Sequence, residues 1–143
     1  ISACLVGSEM CIRDRRESDA MSMPVKALIE EVLSDLKRVG GVNASAVVTR
    51  DGLLIASDVM IGMDAETFAA MTATMTGAAE TAMNEVKAGS LDRVIVEGES
   101  AKIISIGAGP KALLVVLTAP EAPLGLALLK IGDATRKISK LLE

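Results

Sequence analysis

Hydrophobic positions recur along this chain with two different spacings, which together predict three helices and five strands. Apolar residues at intervals of three and four are typical of a helix packed on a core, and short β-branched runs are typical of strands. The helical spacing covers residues 25–38, residues 64–87 and a last segment beginning near residue 124. The predicted strands are residues 44–49, 53–57, 93–97, 102–106 and 111–118.

The order of these elements and the residues between them predict an antiparallel sheet. Asp51-Gly52 separates the first two strands, and this dipeptide supplies the backbone angles of a two-residue hairpin turn. The run 112–117 is apolar without alternation, as expected for a strand covered on both faces, so we place the fifth strand in the middle of the sheet. Asp64 is a natural N-cap for the second helix.

The second helix has two unusual faces. One is apolar at helical spacing and is predicted to face the core: Phe68, Met71, Met75, Ala79, Ala82 and Val86. The other carries small or uncharged residues where a solvated helix would carry Lys, Arg and Glu: Thr67, Ala70, Thr74, Gly77, Thr81 and Asn84. A glycine inside a helix costs about 1 kcal/mol relative to alanine. We therefore expect a partner helix to press on this second face; the alternative is that Ala and Thr are solvent-facing filler.

Composition narrows the possible functions. Half of the 143 residues are hydrophobic, yet Phe68 is the only aromatic residue, so the core must be aliphatic. The net charge of −4 and the lack of aromatic stacking platforms argue against a nucleic-acid-binding protein. No apolar run is long enough to span a bilayer. The chain has no histidine, and its two cysteines are Cys4 and Cys11. We expect a cytoplasmic domain without a metal, a cofactor or catalysis of its own.

Residues 1–20 differ from the rest of the chain. They hold both cysteines and a mixed-charge run without periodicity, and the string from Cys4 to Arg15 resembles translated sequencing-adapter fragments. We interpret residues 1–20 as a disordered, non-native tail, the alternative being a native disordered tail, and residues 21–143 as the domain.

Other candidate sites have simpler interpretations. Gly107-x-Gly109 superficially resembles a phosphate loop, but it joins two strands and is followed by Pro110, so a plain turn is favoured. Glu97 and Glu99 flank a hairpin tip, where solvent would keep both carboxylates charged. An all-aliphatic interior also offers few polar groups to orient a small ligand, which disfavours a small-molecule sensor.

The residues from Pro24 to Leu142 resemble the roadblock/dynein-light-chain family. The resemblance rests on the order of the elements, the hairpin 47–57, the alanine-rich second helix and the segment 107–117. It implies an α+β fold of order α-β-β-α-β-β-β-α. In that fold a five-stranded antiparallel sheet has helices 1 and 3 on one face and helix 2 on the other.

The same resemblance implies a homodimer that regulates or tethers a Ras-like small GTPase. Second helices would pack across a two-fold axis and third strands would pair edge to edge, adding Arg93, Ile95 and Glu97 to the small-residue face. Candidate partner-docking residues are Met60, Met63, Ala73 and Arg50; for Arg50, which lies beside the Asp51-Gly52 turn, the favoured alternative is a solvated hairpin residue. The alternative is a structural adaptor subunit of a larger complex with no GTPase. The sequence does not name the GTPase, or distinguish an activator from a scaffold or a homodimer from a heterodimer with a paralogue.

Overall fold

The protein forms a five-stranded sheet with helices on both faces. The computed structural model describes residues 25–38, 40–60 and 62–142. The proposed tail, residues 1–20, with Cys4 and Cys11, lies outside the described residues. The helices are α1 (residues 25–37), α2 (Ala65–Glu85) and α3 (Leu124–Leu141). The strands are β1 (Val42–Thr49), β2 (Leu54–Asp58), β3 (Arg93–Glu97), β4 (Lys102–Gly107) and β5 (Ala112–Thr118).

The sheet is antiparallel throughout, with strand order β2-β1-β5-β4-β3. The predicted central place of β5 is confirmed, and β3 forms one edge. At the other edge the pairing of β1 with β2 shifts: Val47 lies opposite Ala56 and Val48 opposite Leu54, which leaves Ile55 as an extra residue. The edge strand β2 is therefore irregular, whereas β3 pairs with β4 in an unbroken register.

The first hairpin differs in detail from the prediction. Thr49 N donates to Leu53 O at 2.8 Å, which encloses three residues rather than two. Only Gly52 in this loop has a positive φ, +96°, as in three-residue loops that end in a left-handed residue. A Cβ on Gly52 would lie 3.3 Å from Ala70 Cα, so glycine also lets the loop approach α2 closely.

Two cores cover the two faces of the sheet, as predicted. On one face α1 and α3 bury large aliphatic side chains against β1, β4 and β5. The fully buried members with the largest side chains include Ile29, Leu33, Ile104, Leu114, Ile131 and Ile138. On the opposite face α2 packs over Ala46, Val48, Leu113 and Val115, with Phe68 partly buried at the side.

Phe68 packs partly buried against the sheet, as predicted, but the rest of the predicted core-facing stripe of α2 is wrong. Its buried residues are instead Ala69, Thr72, Ala73 and Thr76. Met71 is 63% exposed and Val86 70%, and Ala82 is also exposed. Alanine and threonine side chains are shorter than methionine, so the backbone of the helix can lie closer to the backbone of the sheet. The hydroxyls stay paired: Thr76 Oγ1 contacts Thr72 O at 2.9 Å and Ser105 Oγ at 2.7 Å.

Candidate interaction surface

The side of α2 that points away from the sheet carries no charge over four turns. The exposed positions between residues 67 and 82 are all uncharged, and we call them the outer face of α2: Thr67, Met71, Thr74, Gly77, Ala78, Thr81 and Ala82. A helix that faces water permanently normally has charged residues there. This face therefore has the composition of a surface that is covered by another molecule.

Gly77 lies in the middle of this outer face. Within the described part of the chain, a Cβ placed on Gly77 would meet no atom within 4 Å, apart from the neighbouring backbone of its own helix. Packing among these residues therefore gives no reason for a glycine at this position, although glycine lowers helix stability by about 1 kcal/mol relative to alanine. Close approach of a second backbone would account for it.

The structure places most of the predicted helix-to-helix contacts on the exposed side. Thr67, Thr74, Gly77, Thr81 and Asn84 are exposed. The sixth predicted residue, Ala70, is half-buried beside the β1–β2 loop. The outer face is also wider than the predicted small-residue face, because it includes Met71, Ala78 and Ala82.

Ala73 is not available for partner docking as predicted. Its side chain is 6% exposed and packs on the sheet side of α2, in the same cluster as Val48 and Val115. The helix lies rotated relative to the prediction, because the sheet accepts the smallest residues rather than the most hydrophobic ones.

The free edge of β3 adjoins α2 and carries exposed apolar side chains in its middle. Among the described residues β3 pairs with β4 alone, and Ile95 and Val96 are 38% and 40% exposed. The register sets Val96 opposite Ile103, whose side chain packs in the α2 core, so Val94 and Val96 lie on the α2 side of the sheet.

The predicted β3 residues lie on the other side of the strand. Ile95 pairs with Ile104, which belongs to the α1/α3 core, and Arg93 and Glu97 alternate with it. Glu97 also forms an ion pair with Lys102 at 3.4 Å. Sequence reasoning missed Val94 and Val96. The sequence shows that these two valines alternate with Arg93, Ile95 and Glu97, but which of the two groups faces α2 depends on the register of β3 with β4.

Arg50 holds three segments together instead of reaching outward. Its Nε donates to Pro110 O at 3.1 Å and one terminal nitrogen lies 3.4 Å from Gly109 O. The other terminal nitrogen lies 2.5 Å from a carboxylate oxygen of Glu80 on α2. The guanidinium thus ties the β1–β2 loop to the β4–β5 turn and to α2, so it is neither a simple solvated hairpin residue nor a free docking group.

The two candidate methionines lie before α2. Met60 is 45% exposed and Met63 is half-buried, and Met63 N donates to Met60 O at 3.1 Å. Both lie at the N-terminal end of the helix. A helix of 21 residues is about 30 Å long, so these methionines and the C-terminal turn of α2 occupy opposite ends of the surface.

Asp64 fixes the beginning of α2, as predicted. Its Oδ1 accepts hydrogen bonds from Glu66 N at 3.1 Å and Thr67 N at 3.2 Å, and its Oδ2 accepts one from Thr67 Oγ1 at 2.7 Å. The Thr67 hydroxyl, followed by these backbone donors, holds the pKa of the Asp64 carboxyl below its ordinary value. The N-cap therefore fixes where the outer face starts.

The remaining candidates take their simpler interpretation. Gly109 has a φ of +87° in the tight turn between β4 and β5, and a Cβ there would lie 2.9 Å from Ser139 Oγ. Across residues 25–38, 40–60 and 62–142, no three carboxylates or other metal-ligating side chains gather into a possible metal site. None of the helices in the described part of the chain has an apolar stretch that could cross a bilayer.

Comparison with known proteins shows close sequence relatives in an archaeon. The chain is 38% identical to a protein of Methanocaldococcus jannaschii over 117 aligned residues. This alignment covers 82% of this chain and 98% of that protein. A second protein of the same organism is also 38% identical, over 114 residues, covering 80% of this chain and 99% of the relative.

Solved structures share the fold at lower identity. MglB of Myxococcus xanthus superposes with a TM-score of 0.77 at 22% identity, covering 82% of this chain and 89% of that one. The gliding protein MglB of Thermus thermophilus gives 0.74 at 21% identity, covering 82% and 90%. Residues 28–118 match the Roadblock/LC7 domain, a stretch that runs from α1 through β5 and contains the whole sheet and all of α2. The chain therefore belongs to the Roadblock/LC7 family.

Proposed function

We propose that this protein is a homodimeric regulator or scaffold of a Ras-like small GTPase. In the dimer the outer face of α2 packs against the same face of a second copy, and the two β3 edges pair into one continuous sheet. Because each surface is its own complement, the interface obeys two-fold symmetry. A stable pair of this kind buries roughly 1,600 Å² in total.

The uncharged outer face of α2 is the observation that carries this proposal. It lies beside the apolar, unbroken edge of β3, so a single contact with a second copy can cover both. An exposed apolar strand edge is a site of uncontrolled association unless it is paired or covered. Dimerisation through both elements supplies that cover and also accounts for Gly77.

Membership of the Roadblock/LC7 family supports a regulatory or adaptor role. The GTPase partner is supported by the sequence resemblance to a family whose prokaryotic members regulate Ras-like small GTPases, and by the likeness of the fold to MglB. Arg50 is held by Glu80 and two backbone carbonyls, so its guanidinium is engaged within this chain rather than free, as a donated catalytic arginine would be. We therefore propose that the dimer acts by docking on the GTPase and shifting the population of its switch conformations.

The dimer is tested with a charge in the middle of the outer face. Gly77→Glu has open space within one chain, so the monomer should fold normally while the dimer is lost. Gly125→Glu is the matched control, because Gly125 is also exposed on a helix with open space around it, but on the other side of the sheet. Analytical ultracentrifugation measures the mass. A Gly77→Glu variant that remains dimeric, or a native protein that is monomeric at working concentration, contradicts the proposal.

The GTPase partner is tested separately. Ras-like small GTPases encoded near this gene are loaded with GDP or with a non-hydrolysable GTP analogue and titrated with the dimer by calorimetry. We expect binding to one nucleotide state to be at least about tenfold tighter, a coupling of about 1.4 kcal/mol. A partner that binds the dimer equally with either nucleotide favours the structural adaptor instead. Binding to none of these GTPases removes this half of the proposal and leaves the dimer untouched.

A further inference from the structure

A groove runs along the outside of α1 and α3, on the opposite side of the sheet from α2. Two neighbouring cavities of about 480 Å³ and 410 Å³ form it, and both are lined by Val32, Asp35 and Lys137. One cavity extends to Leu126 on α3 and the other to Leu28 on α1 and Leu141 on α3. We call this continuous surface the α1/α3 groove. From residue 126 to residue 141 it follows α3 for about 22 Å.

The floor of the α1/α3 groove is apolar. Leu28 is 45% exposed and Leu126 is 48% exposed, at opposite ends of the groove; half-buried Val32 lies between them, and half-buried Leu141 lies at the same end as Leu28. Leu28 and Leu126 lie on the outer flanks of the two helices, whereas Val32 and Leu141 also pack against the aliphatic core beneath. Large apolar side chains exposed along a concave surface are typical of an interaction site.

One rim of the groove is basic. Lys130 and Lys137 line the first cavity and Lys137 and Lys140 line the second, so three lysines follow the α3 side for about 15 Å. None of them forms an ion pair within the residues that the structure describes. Of the acidic groups that line the groove, Asp35 pairs with Arg38 at 3.6 Å and Asp133 pairs with Arg136. Glu31 lies on the α1 side of the second cavity and forms no ion pair within the described residues, so the α1 rim does not share the basic character of the α3 rim.

The basic row is a local feature of an acidic chain. The net charge of the protein is −4, so a partner with a general negative charge would be repelled by most of the surface. A partner that places carboxylates only along the α3 rim, with an apolar stripe beside them, would complement the groove. Charges at a rim steer association and fix orientation, whereas the apolar floor supplies most of the affinity.

We propose that the α1/α3 groove binds an amphipathic helix from a partner protein, with acidic residues along the flank that faces α3. Two adjacent helix surfaces present the ridges and grooves into which a third helix packs. A length of about 22 Å accommodates roughly four helical turns, so the contacts recur at i, i+3, i+4 and i+7 of the partner. The groove is independent of the outer face of α2, so both surfaces can be occupied together.

A designed peptide tests this proposal on the full-length chain. The probe is a 15-residue helical peptide with leucines at i, i+3, i+4 and i+7 and glutamates along one flank; the matched probe carries lysines in place of the glutamates. Fluorescence anisotropy gives Kd. The acidic peptide should bind with a Kd in the micromolar range and at least about tenfold more tightly than the basic peptide, with an affinity that falls as salt is raised.

Variants locate the binding site. The triple variant Lys130→Glu, Lys137→Glu and Lys140→Glu should raise the Kd for the acidic peptide at least about tenfold. The double variant Leu28→Gln with Leu126→Gln should raise this Kd by a similar factor. Lys111→Glu is the matched control, because Lys111 is an exposed lysine outside the groove, and it should change Kd less than about twofold. Gly77→Glu should leave the peptide affinity unchanged, which separates this site from the proposed dimer interface.

Four outcomes overturn the proposal. Equal affinity for the acidic and basic peptides, or a triple variant that binds as tightly as the native protein, excludes a helix guided by the lysine row. A triple variant whose mass in ultracentrifugation differs from that of the native protein identifies a second copy as the occupant. Peptide binding that strengthens about tenfold when residues 1–20 are deleted identifies the chain's own amino-terminal segment instead.

Discussion

The two faces of the sheet are covered by helices of opposite character. On the α1/α3 face, isoleucine and leucine side chains such as Ile131 and Leu33 are completely buried. On the other face α2 buries only alanine and threonine, while Met71 and Val86 point into solvent. The helices α1 and α3 therefore supply most of the aliphatic core of the monomer, whereas α2 carries the uncharged outer face that we propose as the dimer interface.

The largest expected effect comes from the aliphatic core. Ile131→Ala should lower the free energy of unfolding by about 2–5 kcal/mol, because it removes fully buried methyl groups and leaves a cavity. The matched change in the same helix, Leu129→Ala, alters a side chain that is 63% exposed and should stay within about 0.5 kcal/mol. Urea denaturation measures both, and equal losses would contradict the assignment of α3 faces.

An intermediate effect is expected where α2 meets the sheet. Ala73→Leu should lower the free energy of unfolding by about 1–3 kcal/mol, because the close approach of helix and sheet leaves no room for a larger side chain. Ala78→Leu adds the same atoms on the outer face of α2, where they are exposed. In thermal denaturation at concentrations where the chain is monomeric, Ala78→Leu should therefore not destabilise the protein. The opposite ranking would contradict the placement of Ala73 on the sheet side of α2 and of Ala78 on its outer face.

A smaller effect of the opposite sign is expected at Gly77. Gly77→Ala should stabilise the monomer by about 0.8–1 kcal/mol through helix propensity, and Gly132→Ala in α3 should do the same, since neither added Cβ meets a neighbour. The two variants should differ in self-association, because only Gly77 lies on the outer face of α2. Sedimentation equilibrium would show a weaker dimer for Gly77→Ala alone; equal dimer affinities would mean that no backbone approaches this glycine.

The smallest effect concerns the N-cap of α2. The pKa of Asp64 is lower in the folded protein than its ordinary value of 3.8, so its ionised form stabilises the fold. This contribution is fully present above pH 3.8 and is lost as the pH falls through the lower, folded-state pKa. Asp64→Ala should lower Tm slightly at neutral pH. The difference in Tm between this variant and the native protein should shrink as the pH falls below 3.8 and through the folded-state pKa. NMR titration of the Asp64 carboxyl measures the pKa directly, and a raised value would contradict this account.

Much of the fold could be predicted from the sequence because its signals are local. The Asp64 cap, the turn at Gly109 and the unbroken apolar run of β5 each identify an element without reference to distant residues. The orientation of α2 could not be predicted in this way. Apolar or small residues occur on every side of that helix, so its hydrophobic pattern does not identify the buried side. The residues that pack on the sheet, among them Ala69, Thr72 and Ala73, are the small ones.

The candidate site was predictable only in part for the same reason. Gly77 and Thr74 could be recognised from missing charge, which is a property of the helix itself. The burial of Ala73 and the place of Val96 on the α2 side depend on packing and on strand register, which involve residues far apart in the chain. Arg50 likewise was expected to be solvated, because it lies beside a turn. Its hydrogen bond to Pro110 O joins residues 60 positions apart in the sequence, so no local pattern indicates it.

The extra residue Ile55 in β2 has a consequence for how far this sheet can grow. A bulged strand offers its backbone donors and acceptors out of step, so a further strand cannot add along it in regular register. With β3 regular and β2 irregular, each molecule has one edge that can be extended and one that terminates extension. If the β3 edges pair as we propose, strand pairing between molecules stops after that single addition, because both remaining edges are irregular β2 strands.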